Sequence, residues 1–149
     1  MTKEQNIHKG LMDYLMRYAA FKRWFFGFVQ AQNATVGLVP IPGQRYLEEW
    51  TEGGGYCEYQ FAVTVYQSSE QTIYVPGKQT ASVDAAFDVQ AFMGWIEEQN
   101  EAGDLPELGE NLQADEIKVL QAVPSIAGVN DKTQKMLFAA AVYYYEIKE

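Results

Sequence analysis

The sequence predicts an α+β fold in which two helices pack on a single antiparallel or mixed sheet of about four strands, in the order α-β-β-α-β-β. Three observations predict it: an alternating segment from Cys57 to Tyr66, two segments with apolar residues at helical spacing, and a tyrosine-rich last segment. A chain of 149 residues with 48% hydrophobic residues can bury a core of its own. We therefore predict a single domain over residues 1–149.

The first element is predicted to be a helix from about Lys3 to Ala20. Thr2 and Gln5 have the spacing of a capping box, and the apolar residues that follow recur at helical spacing. These residues are Ile7, Leu11, Tyr14, Leu15 and Tyr18. The aromatic cluster from Phe21 to Phe28 then either prolongs this helix or starts the first strand, because periodicity alone does not distinguish the two.

A glycine-rich turn is predicted to precede the main strand. The segment Ala34 to Ile41 is β-branched and apolar but contains proline, which suits an edge strand. After a long hairpin loop, Gly53 to Gly55 permit the positive φ angles of a reversal. The next strand, from about Tyr56 to Tyr66, alternates between two faces. The face expected against the helices comprises Cys57, Tyr59, Phe61, Val63 and Val65.

The second helix is predicted to begin at Ser82, a favourable N-cap, with Asp84 in its first turn. It is expected to end near Asn100, because Gly103 and Pro106 follow within an acidic surface connection. The apolar stripe of this helix comprises Ala85, Phe87, Val89, Phe92, Trp95 and Ile96. Ahead of the helix, Thr72 to Val75 form a short candidate strand.

The chain is predicted to end in a pair of strands. The final segment, Met136 to Ile147, is ambiguous because Ala139 to Ala141 favour a helix while Val142 to Tyr145 favour a strand. The turn chemistry of Asn130 and Asp131 favours the strand, as a hairpin partner of the preceding one. That preceding strand is predicted to contain Ile117, Val119 and Val123.

The net charge of the chain argues against several classes of function. Twenty acidic and 11 basic residues give a formal charge of −9, which opposes specific binding to nucleic acid. The sequence has no run of 18 apolar residues, and the N-terminus is charged where a signal peptide is apolar, so we expect neither export nor membrane insertion. The one cysteine, Cys57, is expected to be a buried thiol, which fits a reducing compartment such as the cytosol.

The sequence contains no constellation of reactive groups that predicts catalysis. His8, the only histidine, lies between polar neighbours and is expected to face solvent, with nothing to place Cys57 or a serine beside it. Acidic pairs such as Glu48–Glu49 and Glu97–Glu98 are typical of solvated faces rather than of cation sites. Gly53 to Gly55 lack the Lys-Ser/Thr pair of a nucleotide loop. We therefore expect a protein that is not an enzyme and that binds no metal or cofactor.

The aromatic residues, 14% of the chain, have two explanations. They pack in the core, or some of them form a partner surface, since aromatic side chains are enriched in protein interfaces. Trp24, Tyr46 and Trp50 are the candidates for such a surface, and the loop before the glycine turn is predicted to be a mobile arm that orders against a neighbouring subunit. The predicted subunit-interface residues are Arg45, Tyr46, Glu48, Glu49, Trp50, Gly53, Gly54 and Gly55.

The order of several motifs resembles that of a known family. The motifs are a glycine turn before a strand, a helix that ends in an acidic Leu-Pro segment, and a tyrosine-rich last strand. They comprise Pro42–Gln44, Tyr46, Trp50, Gly53–Gly55, Tyr59–Phe61, Phe87–Ile96, Asn100, Leu105–Pro106, Leu108 and Tyr143–Tyr145. In this order they resemble the tail terminator or minor capsid proteins of long-tailed bacteriophages. Residues 67–80 and the run Trp24–Phe28 match no feature of that family.

The resemblance implies a structural protein of the virion, found in the bacterial cytoplasm before assembly and at the tail-neck junction afterwards. Such a subunit forms a ring with itself, usually a hexamer, at the head-proximal end of the tail tube. The ring stops polymerisation of the tube protein and docks onto the head connector protein. Because each subunit carries a charge of −9, we expect weak association in solution until a tube acts as template.

Two alternatives remain open at this stage. A head-completion or connector-joining protein of the phage neck would share the size and acidity of this chain. A small cytosolic α+β domain that binds a ligand or catalyses a reaction would instead use its aromatic cluster, Trp24, Phe25 and Phe28, to line a pocket.

Overall fold

A seven-stranded mixed sheet with two helices forms the described part of the chain. The computed structural model describes residues 2–21, 23–26, 35–43, 45–68, 76–77, 81–129 and 133–148. Its elements are α1 (Lys3–Leu15), β1 (Arg23–Phe26), β2 (Thr35–Ile41), β3 (Tyr46–Glu49), β4 (Gly55–Ser68), α2 (Ala81–Glu101), β5 (Leu112–Val119), β6 (Ser125–Val129) and β7 (Thr133–Glu146). The predicted α+β class with two helices is confirmed.

The predicted number and order of strands were wrong. The order is α-β-β-β-β-α-β-β-β rather than α-β-β-α-β-β, because three short strands escaped the sequence pattern. β1 and β3 have four residues each and β6 has five, too few for a period of two to stand out. The aromatic segment after α1, whose two readings were left open, contains β1.

Two long antiparallel strands form the centre of the sheet. β4 and β7 have 14 residues each and pair along their whole length, from Gly55 opposite Glu146 to Ser68 opposite Thr133. β2 and β3 pair with β4 on one side, while β5 and β6 pair with β7 on the other. β1 adds to β2 in parallel, which makes the sheet mixed.

The predicted core face of β4 is confirmed. Cys57, Phe61, Val63 and Val65 are buried, and Tyr59 is half-buried beside them. Side chains on this face contact both helices in one hydrophobic core, and full burial of such a side chain stabilises the fold by about 1.5–3 kcal/mol. In the described part of the chain, no helix covers the opposite face of the sheet.

The last segment is a strand, as predicted. β7 alternates from Met136 to Tyr144 in step with β4, and this long pairing outweighs the helix preference of Ala139 to Ala141. The strand before it does not continue to Val123 as predicted. β5 ends at Val119, and Val123 is exposed in the connection to β6.

Both helices differ from the prediction at one end. The capping box of Thr2 and Gln5 is present, but α1 ends at Leu15 rather than Ala20, and Tyr18 turns back to pack against Phe92. α2 begins at Ala81, one residue before the predicted cap, and Gly103 follows it with a φ of 74°.

Some predicted features differ in burial or lie outside the described residues. Phe87 does not widen the apolar stripe of α2, because 52% of it is exposed. Among the described residues, no helix has the length and hydropathy needed to cross a membrane. The side chain of Ser82, and residues Gln44, Phe28, Thr72–Val75 and Asn130–Asp131, lie outside the described part of the structure.

Candidate functional site

The predicted interface segment is a hairpin that packs on the body of the protein. Tyr46 pairs with Cys57 and Glu49 with Gly55, and a bulge follows Tyr46. The turn is closed by a hydrogen bond of 3.0 Å from the backbone N–H of Trp50 to the carbonyl of Gly54. The prediction of a mobile arm is therefore wrong: backbone pairing with a central strand holds the segment in place.

The glycines of the turn are needed for close packing as well as for reversal. Gly53 and Gly54 have φ values of 99° and 78°, a region that other residues rarely adopt. A Cβ atom at Gly54 would lie 2.1 Å from the backbone oxygen of Glu146. A Cβ atom at Gly55 would lie 2.1 Å from the backbone oxygen of Glu48. The turn is therefore packed against the end of β7 by its backbone.

A cluster of charges joins this hairpin to α1 and to the end of β7. Nη2 of Arg45 lies 3.0 Å from Oε2 of Glu146, and Nη1 lies 3.2 Å from Oε1 of Glu4. The hydroxyl of Tyr46 donates to Oε2 of Glu146 at 2.9 Å, and the ammonium of Lys3 contacts Oε1. Only 5% of Glu146 is exposed. The carboxylate of Glu146 thus connects α1, the hairpin and β7.

The pKa of Glu146 follows from this cluster. Burial alone would raise the pKa of its carboxyl group, but the contacts with Lys3 and Tyr46 and the charge of Arg45 outweigh burial, so the pKa is lowered. Glu146 is therefore ionised at neutral pH, and its negative charge holds the two cations in place.

The outer side of the hairpin remains accessible. Leu47, Glu48 and Glu49 are exposed, and the ring of Trp50 stacks on Tyr145 at 6.2 Å between centroids while staying 37% exposed. Of the predicted interface residues, Glu48, Glu49 and Trp50 are thus available to a partner. Arg45, Tyr46, Gly53, Gly54 and Gly55 instead hold the hairpin on the body.

An aromatic cluster continues from Trp50 across the uncovered face of the sheet. The ring of Tyr56 lies 5.0 Å from that of Tyr145 and 6.2 Å from that of Tyr143, measured between centroids. The hydroxyl of Tyr56 donates to Oδ2 of Asp115 at 2.9 Å. Burial, helped by a hydrogen bond to Glu58, raises the pKa of Tyr143 to about 12. The hydroxyl of Tyr143 therefore remains a protonated donor at neutral pH.

A groove of about 600 Å³ lies between α1, the ends of β1 and β2, and the middle of β4. His8 lines it, although the sequence predicted a solvent-facing residue. Nδ1 of His8 is 3.0 Å from the hydroxyl of Tyr59, and the ring meets Phe26 edge-on. Nε2 of His8 and Nε of Arg45 are buried without a hydrogen-bond partner among the described atoms. Burial lowers the pKa of His8, so the ring is neutral at pH 7.

The sequence held a partial signal for His8. It follows the buried Ile7 and lies three residues before the buried Leu11, at the margin of the apolar stripe of α1. Its partner Tyr59 is 51 residues away in the chain, and no local pattern links the two. The groove is therefore a product of tertiary packing.

Other residues singled out in the sequence have structural positions. Trp24 packs on Phe21 and Phe92 and donates to the carbonyl of Phe21 at 3.3 Å, so it belongs to the rim of the core. Cys57 is fully buried, as predicted, and burial raises the pKa of its thiol. Among the described residues, no group of three or more His, Cys, Asp or Glu side chains has the arrangement of a metal site.

No known family model matches the sequence, and no curated protein matches it.

Proposed function

We propose that this protein is a structural subunit of the neck of a long-tailed bacteriophage. In this proposal it forms a ring with copies of itself, a hexamer in the family that the sequence resembles, at the head-proximal end of the tail tube. The ring ends tube polymerisation and docks onto the head connector. Such a subunit acts by binding other proteins through its surfaces rather than through reactive groups.

The observation that carries the proposal is the meeting of three resemblance-bearing segments at Glu146. Gly55, at the end of the glycine turn, and Leu112, after the acidic Leu-Pro segment, both pair with Glu146 from opposite sides. The tyrosine-rich run of β7 leads directly into this residue. Each of these motifs is unspecific by itself, but together they form one local structure. This supports interpreting them as a single pattern.

The surface beside this meeting point also supports assembly. The exposed Trp50 and the tyrosines of the uncovered sheet face form a continuous aromatic surface, the composition typical of interface centres. Glu48 and Glu49 border it on the hairpin. With −9 charges per chain, copies repel at low salt, which favours ring formation on a tube over ring formation in free solution.

Deletion of the gene from its phage tests the proposal. Overlong tails on electron micrographs are the expected result. Tails of normal length detached from heads would instead assign the protein to head completion, and normal virions would contradict both roles. Genes for a tail tube protein and a head connector beside the coding region would support a neck function independently.

Sedimentation velocity tests the template part of the proposal. The purified protein is expected to sediment as a monomer or a weak oligomer at micromolar concentration and to co-sediment with purified tail tubes. A stable hexamer without tubes would contradict the hypothesis that a tube is needed as template, but not the hypothesis that the subunits form a ring.

Ligand binding is a second candidate function, and the groove is the observation that favours it. Its volume of about 600 Å³ lies within the range of small-molecule pockets, and it places two unpartnered polar atoms, Nε2 of His8 and Nε of Arg45, near apolar walls. The pocket is not the one predicted from Trp24, Phe25 and Phe28. A screen of small carboxylic acids by NMR, with the His8 ring signals as readout, separates this candidate from a purely structural role.

A further inference from the structure

The sheet face that no described helix covers carries aromatic and acidic side chains at the end next to the hairpin. Residues that lie opposite each other in neighbouring strands project to the same face. Glu58, Tyr143 and Glu116 form one such row across β4, β7 and β5. Tyr56 and Tyr145 face each other in the adjacent row. The two rows thus place three tyrosines and two carboxylates side by side.

The three tyrosine rings form the floor of this region. Tyr56 contacts both other rings, and Trp50 extends the ring contacts from the hairpin. All three tyrosines keep part of their surface exposed, whereas Tyr144, which projects to the core, is 1% exposed. Tyrosine offers a large contact area at a low cost in conformational entropy, and the face of its ring attracts cations.

Carboxylates flank the floor on both sides. Glu58 lies on one side of Tyr143 and Glu116 on the other, each one strand spacing of about 4.8 Å away across the sheet. Asp115 lies beside Glu116 and accepts a hydrogen bond of 2.9 Å from the hydroxyl of Tyr56. We refer to these three tyrosines and three carboxylates as the acidic aromatic surface.

The chain does not neutralise these carboxylates with its own described cations. Among the residues that the structure describes, no ion pair involves Glu58, Asp115 or Glu116. Lys118 projects to the same face, opposite Ala141 in the next row, and pairs with none of them. The carboxylates outnumber this one ammonium, so the surface keeps a net negative charge.

The tyrosines respond to this negative potential. Burial raises the pKa of Tyr56, and the hydrogen bond to Asp115 and the charges of Asp115 and Glu116 raise it further. The charges of Glu58 and Glu116 act in the same direction on Tyr143. A phenolate is disfavoured where the potential is negative, and a cation is favoured at the same place.

The charge of the surface selects a basic protein segment as its occupant. The same face of a second copy would bring like charges together, and the phosphates of nucleic acid would be repelled as well. An apolar segment would cover the carboxylates and leave them without partners, which is costly. Arg and Lys side chains instead supply a counter-charge for the carboxylates and a cation for the faces of the rings.

We propose that the acidic aromatic surface binds an Arg- or Lys-bearing segment of another protein. The cationic side chains lie above the tyrosine rings, between Glu58 on one side and Asp115 and Glu116 on the other. This deepens the role of the uncovered face in assembly, because it assigns the face to a different protein rather than to a contact between copies. That the partner belongs to the phage neck rests on the proposed function, whereas the contact itself does not.

A triple variant of the surface tests the contact. Glu58→Gln, Asp115→Asn and Glu116→Gln remove the charges, while the amide oxygens still accept hydrogen bonds from the tyrosine hydroxyls. The probe is a fluorescein-labelled hexa-arginine peptide, and its Kd is measured by fluorescence anisotropy. The Kd is expected to rise at least about fivefold, because each exposed charge pair contributes about 0.2–1 kcal/mol.

A second triple variant is the control for net charge. Glu97→Gln, Glu98→Gln and Glu101→Gln remove the same number of charges from exposed positions on α2, which packs on the opposite face of the sheet. At about 0.1 M salt, charges more than about 10 Å apart are largely screened, so the Kd of this variant should change by about twofold or less. Equal weakening by the two triple variants would show that only net charge attracts the peptide and would overturn the proposal.

The role of the aromatic floor is tested at Tyr143. Tyr143→Leu removes the ring and is expected to raise the Kd about two- to fivefold, as for loss of an exposed cation–π contact. Tyr143→Phe keeps the ring and should bind within about twofold of wild type. Equal affinities of Tyr143→Leu and Tyr143→Phe would overturn the placement of cations above the rings.

NMR mapping locates the peptide on the wild-type protein without any substitution. Unlabelled hexa-arginine is expected to shift the amide signals of Tyr56, Tyr143, Tyr145 and Glu116. Largest shifts on α2, or at His8 in the groove, would overturn the proposal.

The gene deletion separates this contact from the proposed function. Peptide binding at the acidic aromatic surface together with normal virions of the deletion phage would retain the contact and reject the neck role. Overlong tails together with equal weakening by the two triple variants would retain the neck role and reject the contact.

Discussion

Arg45 and Glu146 face each other across the junction between the hairpin and the last strand, with Nη2 and Oε2 3.0 Å apart. Glu146 is 5% exposed, and the Tyr46 hydroxyl and the Lys3 ammonium also contact its carboxylate. The ion pair thereby fixes the position of β3 relative to β7 and α1. The segment predicted to be a mobile arm is held in place within a single chain. A neighbouring subunit therefore contacts a surface that is already ordered.

Replacing Glu146 with glutamine is expected to destabilise the fold. The substitution keeps the shape but removes the charge that Arg45 and Lys3 face. The hydrogen bonds that Lys3 and Tyr46 donate to this charged group each contribute roughly 1.5–3 kcal/mol. Urea unfolding should therefore show a lower midpoint with an unchanged slope. Glu49→Gln, on the exposed side of the same hairpin, is the control and should lie within about 0.5 kcal/mol of wild type. Equal stability of Glu146→Gln and wild type would mean that the cluster contributes nothing.

Acid should weaken the same cluster in a defined direction. The pKa of Glu146 is lowered in the folded state from an ordinary value of 4.5, so the unfolded chain binds this proton more tightly than the folded one. Its contribution to stability is fully present above pH 4.5 and is lost as the pH falls through the folded pKa. The free energy of unfolding of wild type should therefore drop more steeply below pH 4.5 than that of Glu146→Gln. Parallel curves for the two proteins would contradict this assignment.

The glycine turn gives a separate test of close packing. Gly54→Ala forces a side chain into a φ of 78° and brings Cβ to 2.1 Å from the Glu146 carbonyl, so we expect a loss of at least about 1–3 kcal/mol. Thermal unfolding measures it. Gly43→Ala is the control, because a Cβ there meets no atom within 4 Å, and its melting temperature should be unchanged or slightly higher. If both variants melt alike, the turn does not pack on β7.

The sequence predicted the parts of the fold whose signal is local. The capping box of Thr2, the alternation of β4 and the strand character of Val142 to Tyr145 all depend on neighbouring residues. β1 and β3 were missed instead because each has only four residues, too few for a period of two to stand out. β6 has five residues and was missed for the same reason.

The sequence predicted which segment forms the site, but not how that segment is attached to the rest of the protein. The residues from Arg45 to Gly55 were identified by turn chemistry and aromatic content, and they do form a distinct hairpin. Their attachment was missed because Glu146, a carboxylate near the C-terminus, has the sequence appearance of a solvated residue. Only the pairing of β4 with β7 brings it beside Arg45, about 100 residues earlier in the chain.

His8 provides a test of the groove in solution. It is the only histidine, so its ring protons give one resolved NMR titration, and burial should place the midpoint below the ordinary value of 6.5. Because the unfolded chain binds this proton more tightly, stability should fall as the pH drops below 6.5. Phe26→Ala removes the ring that packs on His8 and should move the midpoint up towards 6.5.

Phe25→Ala is the matched control for the His8 titration. Phe25 is the neighbour of Phe26 on β1, is 45% exposed and does not line the groove, so its removal should leave the midpoint unchanged. A wild-type midpoint at or above 6.5 would show that water hydrates the ring freely and that the groove is not formed as described. Equal shifts in Phe25→Ala and Phe26→Ala would show that the edge strand, rather than the ring contact, controls the titration of His8.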